Sequence, residues 1–207
     1  LRSRLFFRWH SAYRGAMTNQ RSILITGCST GIGLASARAL KARGWRVLAT
    51  ARKPSDLERL AQEGFDAIPC ELADQASIAT CAGEALKRTG GRLDALYNNA
   101  AYGLIGAMED IPAEQLRRHF EVNVVAAHDL TRRVVPAMRA AGAGRIVMCS
   151  SVLGFLSGPY RGAYCASKFA LEAMSDALRL ELAPAGIQVS LIEPGPIESE
   201  FMASTLA

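Results

Sequence analysis

The sequence lacks the signatures of several large protein classes. No stretch approaches the ~18 consecutive apolar residues of a membrane-spanning helix, and the early run "LFF" is too short for a secretory signal. No two cysteines form a Cys-x-x-Cys pair. The five present, Cys28, Cys70, Cys81, Cys149 and Cys165, are scattered and odd in number, so neither a disulfide framework nor a zinc site is expected. They read as small buried hydrophobes in a reduced, cytoplasmic setting. His10, His119 and His128 show no ligand spacing, so no metal is expected, and His119 and His128 read as ordinary helix residues. Repeats and Gly/Ser-, Pro- or Gln-rich tracts are also missing. With half the residues hydrophobic, this is the composition of a folded chain.

Acidic residues are absent from the first segment, "LRSRLFFRWHSAYRGAM", which holds Arg2, Arg4, Arg8 and Arg14 and accounts for most of the formal charge of +5. Four arginines in a tail are not the basic stripe of a nucleic-acid interface, and no nucleic-acid partner is expected. A transit peptide, a native tail and sequence upstream of a start at Met17 all fit; the last is favoured, because pattern begins only near Arg21. Residues 1–20 are therefore expected to be a disordered extension, and residues 21–207 one dinucleotide-binding domain.

What is present is an alternation of short apolar runs and longer helical patterns. Strands are expected over 22–26, 46–50, 66–70, 93–97, 145–150 and 187–193, and helices over 32–43, 56–63, 75–88, 113–140 and 160–183. Nearly continuous apolar strands imply a sheet covered on both faces, hence a doubly wound parallel α/β fold of six strands. Ser55 and Glu58 can form a capping box, Gly44 a C-cap, and Pro184 with Gly186 a helix stop.

"ITGCSTGIGLASARAL" joins the first strand to the first helix and puts Gly27, Gly31 and Gly33 at the turn. Such glycines let backbone approach a pyrophosphate resting on the helix N-terminus, although they also serve plain strand-to-helix packing. No Asp or Glu occurs between Gly33 and Asp56 to bind a ribose 2′-hydroxyl. "ATARKP" offers Arg52 and Lys53 instead, and a guanidinium pairs well with a 2′-phosphate. NADP is favoured over NAD; the alternative is that both are solvated loop charges.

Tyr164 and Lys168, four residues apart in "AYCASKFALEAMSDALRLEL", share a helix face. Alone they could be a surface pair. An ammonium beside a phenol, whose ordinary pKa is near ~10, favours the phenolate and suits it to proton exchange with an alcohol or carbonyl oxygen. Ser151, at the end of the fifth strand, can face the same oxygen.

These features, with "NNAA", Asn123 in "EVNVV" and "EPGPIES", resemble the short-chain dehydrogenase/reductase family and its Rossmann-like fold over residues 21–201. The wording is similar to the steroid and retinol dehydrogenase-like branch. The resemblance implies that Tyr164 is the general acid/base, that Ser151 hydrogen-bonds the reacting oxygen, and that Lys168 binds the nicotinamide ribose and lowers the tyrosine pKa. Asn123 would hold a water of the proton relay. The same carry-over assigns cofactor binding to Gly27, Ser29, Gly31, Ile32, Gly33, Arg52, Lys53, Glu71, Leu72, Asn99, Ala100, Pro194, Gly195, Ile197 and Ser199, together with Tyr164 and Lys168. Hydride would pass between NADP(H) and an alcohol or ketone substrate.

Ala101 replaces the family's glycine, Glu71 its aspartate and Ser199 its threonine. Family members normally continue through a further strand and helix, so the chain is expected to be truncated. Phe155, Leu156, Pro159 and Tyr160 would form either an apolar substrate wall or helix packing. The two long helices are those through which similar proteins pair as homodimers or homotetramers. The alternatives to an oxidoreductase are a nucleotide-binding regulator and an inactive fragment of such an enzyme.

Overall fold

Six parallel strands in the order β3-β2-β1-β4-β5-β6 carry the molecule. They are β1 (Ser22–Ile25), β2 (Arg46–Ala51), β3 (Asp66–Pro69), β4 (Ala95–Asn98), β5 (Gly144–Cys149) and β6 (Ile187–Ile192). Between them run α1 (Gly31–Ala42), α2 (Pro54–Gln62), α3 (Gln75–Arg88), α4 (Ala113–Phe120), α5 (Ala126–Ala141) and α6 (Gly162–Leu182). The structure is a computed structural model that describes residues 20–197. The expected extension and Ser199 fall outside those residues, Gln20 excepted.

Two apolar cores lie on opposite faces of the sheet. Leu24, Leu48, Leu96 and Ile146 pack with Ile78 and Ala82 of α3, Leu130 and Val134 of α5, and Leu171 of α6. Ile23, Ile25, Val47, Ala49 and Tyr97 pack with Leu34 and Ala37 of α1 and Leu60 of α2. Successive strand residues point to opposite faces, so continuous apolar strands are what a doubly covered sheet requires. β6 differs, with Ile187 and Val189 buried and Gln188, Ser190 and Ile192 exposed.

The order of the strands turns at β1, which lies between β2 and β4. Chains leave β1 and β4 on opposite sides of a crevice at the carboxyl edge, where doubly wound folds bind ligands.

Local chemistry departs from expectation in two places. Ser55 forms no capping box: Lys53 is the N-cap of α2, Pro54 fills its first position with its fixed φ, and Ser55 falls inside the first turn without a cap bond. The expected helix over 113–140 is broken by a π-turn, Glu121–Val125, between α4 and α5. Buried Asn123 at its centre accepts from Tyr102 N at 3.1 Å and donates to Tyr102 O at 2.9 Å. It thereby ties the turn to the loop after β4, and π-turns recur where helices carry such local demands. Gly44 behaves as expected, taking φ of 80° after α1 and donating its N–H to Lys41 O.

Candidate active site

The glycine turn is built for close approach. Gly27 and Gly31 adopt φ of 72° and 59°, the left-handed region that glycine enters without strain. A Cβ at Gly33 would overlap the carbonyl of Gly27 and lie 2.5 Å from Asn99 Nδ2, so α1 can reach the turn only through a residue without a side chain. Thr30 caps α1 with backbone alone, and Thr30, Gly31 and Ile32 line the cleft that opens there. Thr26 Oγ1 accepts from the N–H groups of Asn99 at 2.9 Å and Ala100 at 3.0 Å. Asn99 Nδ2 donates to Thr26 O and Gly27 O at 2.9 and 3.2 Å. Turn and loop are one unit.

The cleft encloses about 840 Å³ along the carboxyl edge of the sheet. It gathers Gly27, Ser29, Gly31, Ile32, Arg52, Glu71, Leu72, Asn99, Ala100, Ser151, Tyr164, Lys168, Pro194, Gly195 and Ile197, nearly the whole set named from sequence. Gly33, Lys53 and Asn123 are not among its lining residues: Gly33 packs behind the turn, Lys53 caps α2, and the side chain of Asn123 is spent on Tyr102. Ala101 lines the cleft without a left-handed backbone, so its methyl brings no strain. Arg52 lies 3.9 Å from Glu71 and keeps most of its side chain in solvent.

At the other end, the Ser151 hydroxyl accepts from Leu153 N at 3.1 Å, lies 3.4 Å from Pro194 O, and lines the cleft with the Tyr164 phenol. Lys168 is buried to 2% exposure, donates from Nζ to Cys149 O at 2.7 Å, and lies 5.5 Å from the centre of the Tyr164 ring. Burial pulls the Lys168 pKa down to about 8, opposed by Cys149 and Glu172. The phenol moves opposite to the sequence expectation. Burial pushes Tyr164 up to about 12, the Ser151 hydrogen bond pulls it back in part, and the charge of Arg161 lowers it further. The Lys168 ammonium, meanwhile, is bonded to the carbonyl of β5.

Two residues of this end escaped the sequence reading. His119 is fully buried, 3.2 Å by Nε2 from Asn123 Nδ2, with its ring edge-on to Tyr102 at 4.9 Å and 6.3 Å from Tyr164. Burial and the Lys168 charge hold its pKa down at about 4, so it is neutral and accepts the Asn123 hydrogen bond. Its position four residues before Asn123 was the available signal. Arg161, three residues before Tyr164, lines the cleft.

The residues present fit a dinucleotide: a glycine-lined turn that a Cβ would fill, an open helix N-terminus, and a cleft spanning the switch point. Comparisons with known proteins agree. Residues 21–207 match the family model described as short chain dehydrogenase. The uncharacterized oxidoreductase YbbO of Escherichia coli K12 is 51% identical over 182 residues, covering 88% of this chain and 68% of that protein. Human 17-beta-hydroxysteroid dehydrogenase type 1 is 36% identical over 197 residues, covering 89% of this chain and 59% of its own length. The solved alcohol dehydrogenase of Thermococcus sibiricus, complexed with 5-hydroxy-NADP, superposes with a TM-score of 0.82 at 26% identity, covering 89% of this chain and 80% of that one. The chain belongs to the short-chain dehydrogenase family of NAD(P)-dependent oxidoreductases acting on CH–OH groups.

Proposed function

We propose that the protein interconverts a hydrophobic alcohol and its carbonyl with NADP(H), and that Ser151, Tyr164 and Lys168 are its proton-handling set. The observation that carries the reading is that the Ser151 hydroxyl and the Tyr164 phenol line one cleft above an ammonium clamped to the sheet. The coenzyme, when bound, supplies the hydride. Ser151 donates to the substrate oxygen and fixes its position; Tyr164 gives that oxygen its proton in reduction and removes it in oxidation. Lys168, cationic below its pKa of about 8, provides positive charge beneath the phenol and a donor for the coenzyme ribose. Asn123, held by His119 and Tyr102, positions the π-turn beside this group and contributes to the proton relay.

Arg52, with Lys53 beside it, would pair with the 2′-phosphate, while Gly27, Ser29, Gly31 and Ile32 cradle the pyrophosphate; the 5-hydroxy-NADP complex of the Thermococcus enzyme supports this end of the reading. Glu71, Leu72, Asn99 and Ala100 border the adenosine, and Pro194, Gly195, Ile197 and Ser199 the nicotinamide. The steroid-active human relative, and exposed Phe155, Leu156 and Tyr160 between Ser151 and Tyr164, support an apolar substrate. Val125, Phe169 and Leu180 leave apolar surface on the π-turn and α6, favouring pairing of two copies there. The free, buried cysteines suit a reducing, cytoplasmic compartment.

The test follows nicotinamide absorbance with a panel of hydrophobic aldehydes, ketones and alcohols. NADPH should outperform NADH, and Arg52→Glu should reverse that preference by about tenfold or more. Tyr164→Phe should lose turnover by at least about 10²-fold while still binding NADPH. Full turnover in Tyr164→Phe would overturn the reading.

A further inference from the structure

Among the described residues, four charged ones line the cleft: Arg52, Glu71, Arg161 and Lys168. Glu71 follows β3 and stands beside Arg52, whereas Arg161 precedes α6, which packs on β6 and reaches β5 through Lys168. Four strand spacings separate β3 from β5, or about 19 Å. Among the described residues, the chemical end of the cleft therefore carries two cations and no lining carboxylate.

Of these two, Lys168 is already committed to Cys149 O. Arg161 is half-buried, and its guanidinium takes part in no ion pair or side-chain hydrogen bond among the described residues. The nearby acids Glu109 and Asp110 neither line the cleft nor pair with it. Its charge reaches the Tyr164 phenol, and Arg118 acts in the same way on Tyr102, which lines the cleft opposite. Around this corner stand exposed Phe155, Leu156, Tyr160 and Ile197.

We infer that Arg161 is a specificity-determining residue, and that the substrate is an amphipathic oxo acid or hydroxy acid: an anionic group a few bonds from the reacting carbon, with an apolar remainder against the aromatic rim. The inference rests on the proton-handling role of Tyr164 for the location of the reacting carbon, and adds to it the anion. A half-buried guanidinium with no ion pair among the described residues gains most from a carboxylate, with which it forms two parallel hydrogen bonds. Arg161 stands at the N-cap of α6, three positions before Tyr164 in its first turn, and both line the cleft, so an anion close to the reacting oxygen can engage both.

Two measurements test this. The ratio of kcat/KM for 4-oxodecanoate to that for its methyl ester, with NADPH, should be about tenfold or more in the unaltered protein, fall toward one in Arg161→Gln, and be partly restored in Arg161→Lys. Calorimetric titration with decanoate and with its neutral isostere decanamide, in the presence of NADP, should show the same preference, lost in Arg161→Gln and kept in Tyr164→Phe. Equal use and equal binding of acid and neutral compound, or a preference that survives Arg161→Gln, would overturn the inference. Turnover undiminished in Tyr164→Phe would instead remove the role given to the phenol, while a decanoate preference dependent on Arg161 would still place the anion.

Discussion

Lys168 shows at the scale of one residue how burial sets function. Its pKa falls from an ordinary 10.5 to about 8, so between those values the unfolded chain holds a proton that the native protein has released. Stability due to this group therefore rises with pH across that window and is lost as pH falls through about 8, where keeping the ammonium buried costs about 3 kcal/mol. The stability of the unaltered protein minus that of Lys168→Met should rise by roughly that amount from neutral pH to pH about 10.5, as urea unfolding at each pH would report. A flat difference would contradict the assigned burial. The sequence named Ser151, Tyr164 and Lys168 because their spacing is local, three residues on one strand end and one helix. It could not foretell that Tyr164 is pushed upward, since desolvation sums over atoms contributed by distant parts of the chain. For the same reason His119 looked like any helix histidine, its burial beneath Tyr102 and Tyr164 being a product of tertiary packing.

At the scale of elements, the turn between β1 and α1 demands more than flexibility. Gly33 has an ordinary negative φ, so its requirement comes from the Gly27 carbonyl against which α1 is pressed. Gly33→Ala should destabilise the protein by about 1–3 kcal/mol and weaken NADPH binding at the same time. Thermal unfolding and a fluorescence titration would read both, and a variant with unaltered stability and affinity would show that the helix can slide away at little cost. Strands and α-helices were readable as such, because the inner strands are apolar on both faces and the helices keep their polar stripe. Boundaries were less so: Pro54 displaced the capping box that Ser55 and Glu58 promised, and the π-turn has no local pattern of its own. It answers to Asn123 and its bonds to Tyr102, a contact between residues 21 apart in sequence.

At the scale of the whole molecule, strand alternation announced a doubly wound parallel sheet but not the order 3-2-1-4-5-6, because more than one order satisfies the same alternation; β6 is also set apart by its own pattern. Gln188 and Ser190 interrupt its apolar run and mark the face left exposed. The apolar surface formed by Phe169 and Leu180 on α6 leads to a further expectation. Replacing both by Glu should convert a pair to single copies in light scattering at micromolar protein, with the unfolding temperature unchanged at low concentration; identical masses before and after would rule out pairing on this face. The tether between Lys168 Nζ and Cys149 O has a last implication. Because the ammonium grips peptide rather than side chain, the thiol at position 149 can be exchanged for other small groups with the lysine still in place, and a drift in the hydrogen-bonded register of β5 against β4 and β6 would disturb proton delivery more than many substitutions inside the cleft.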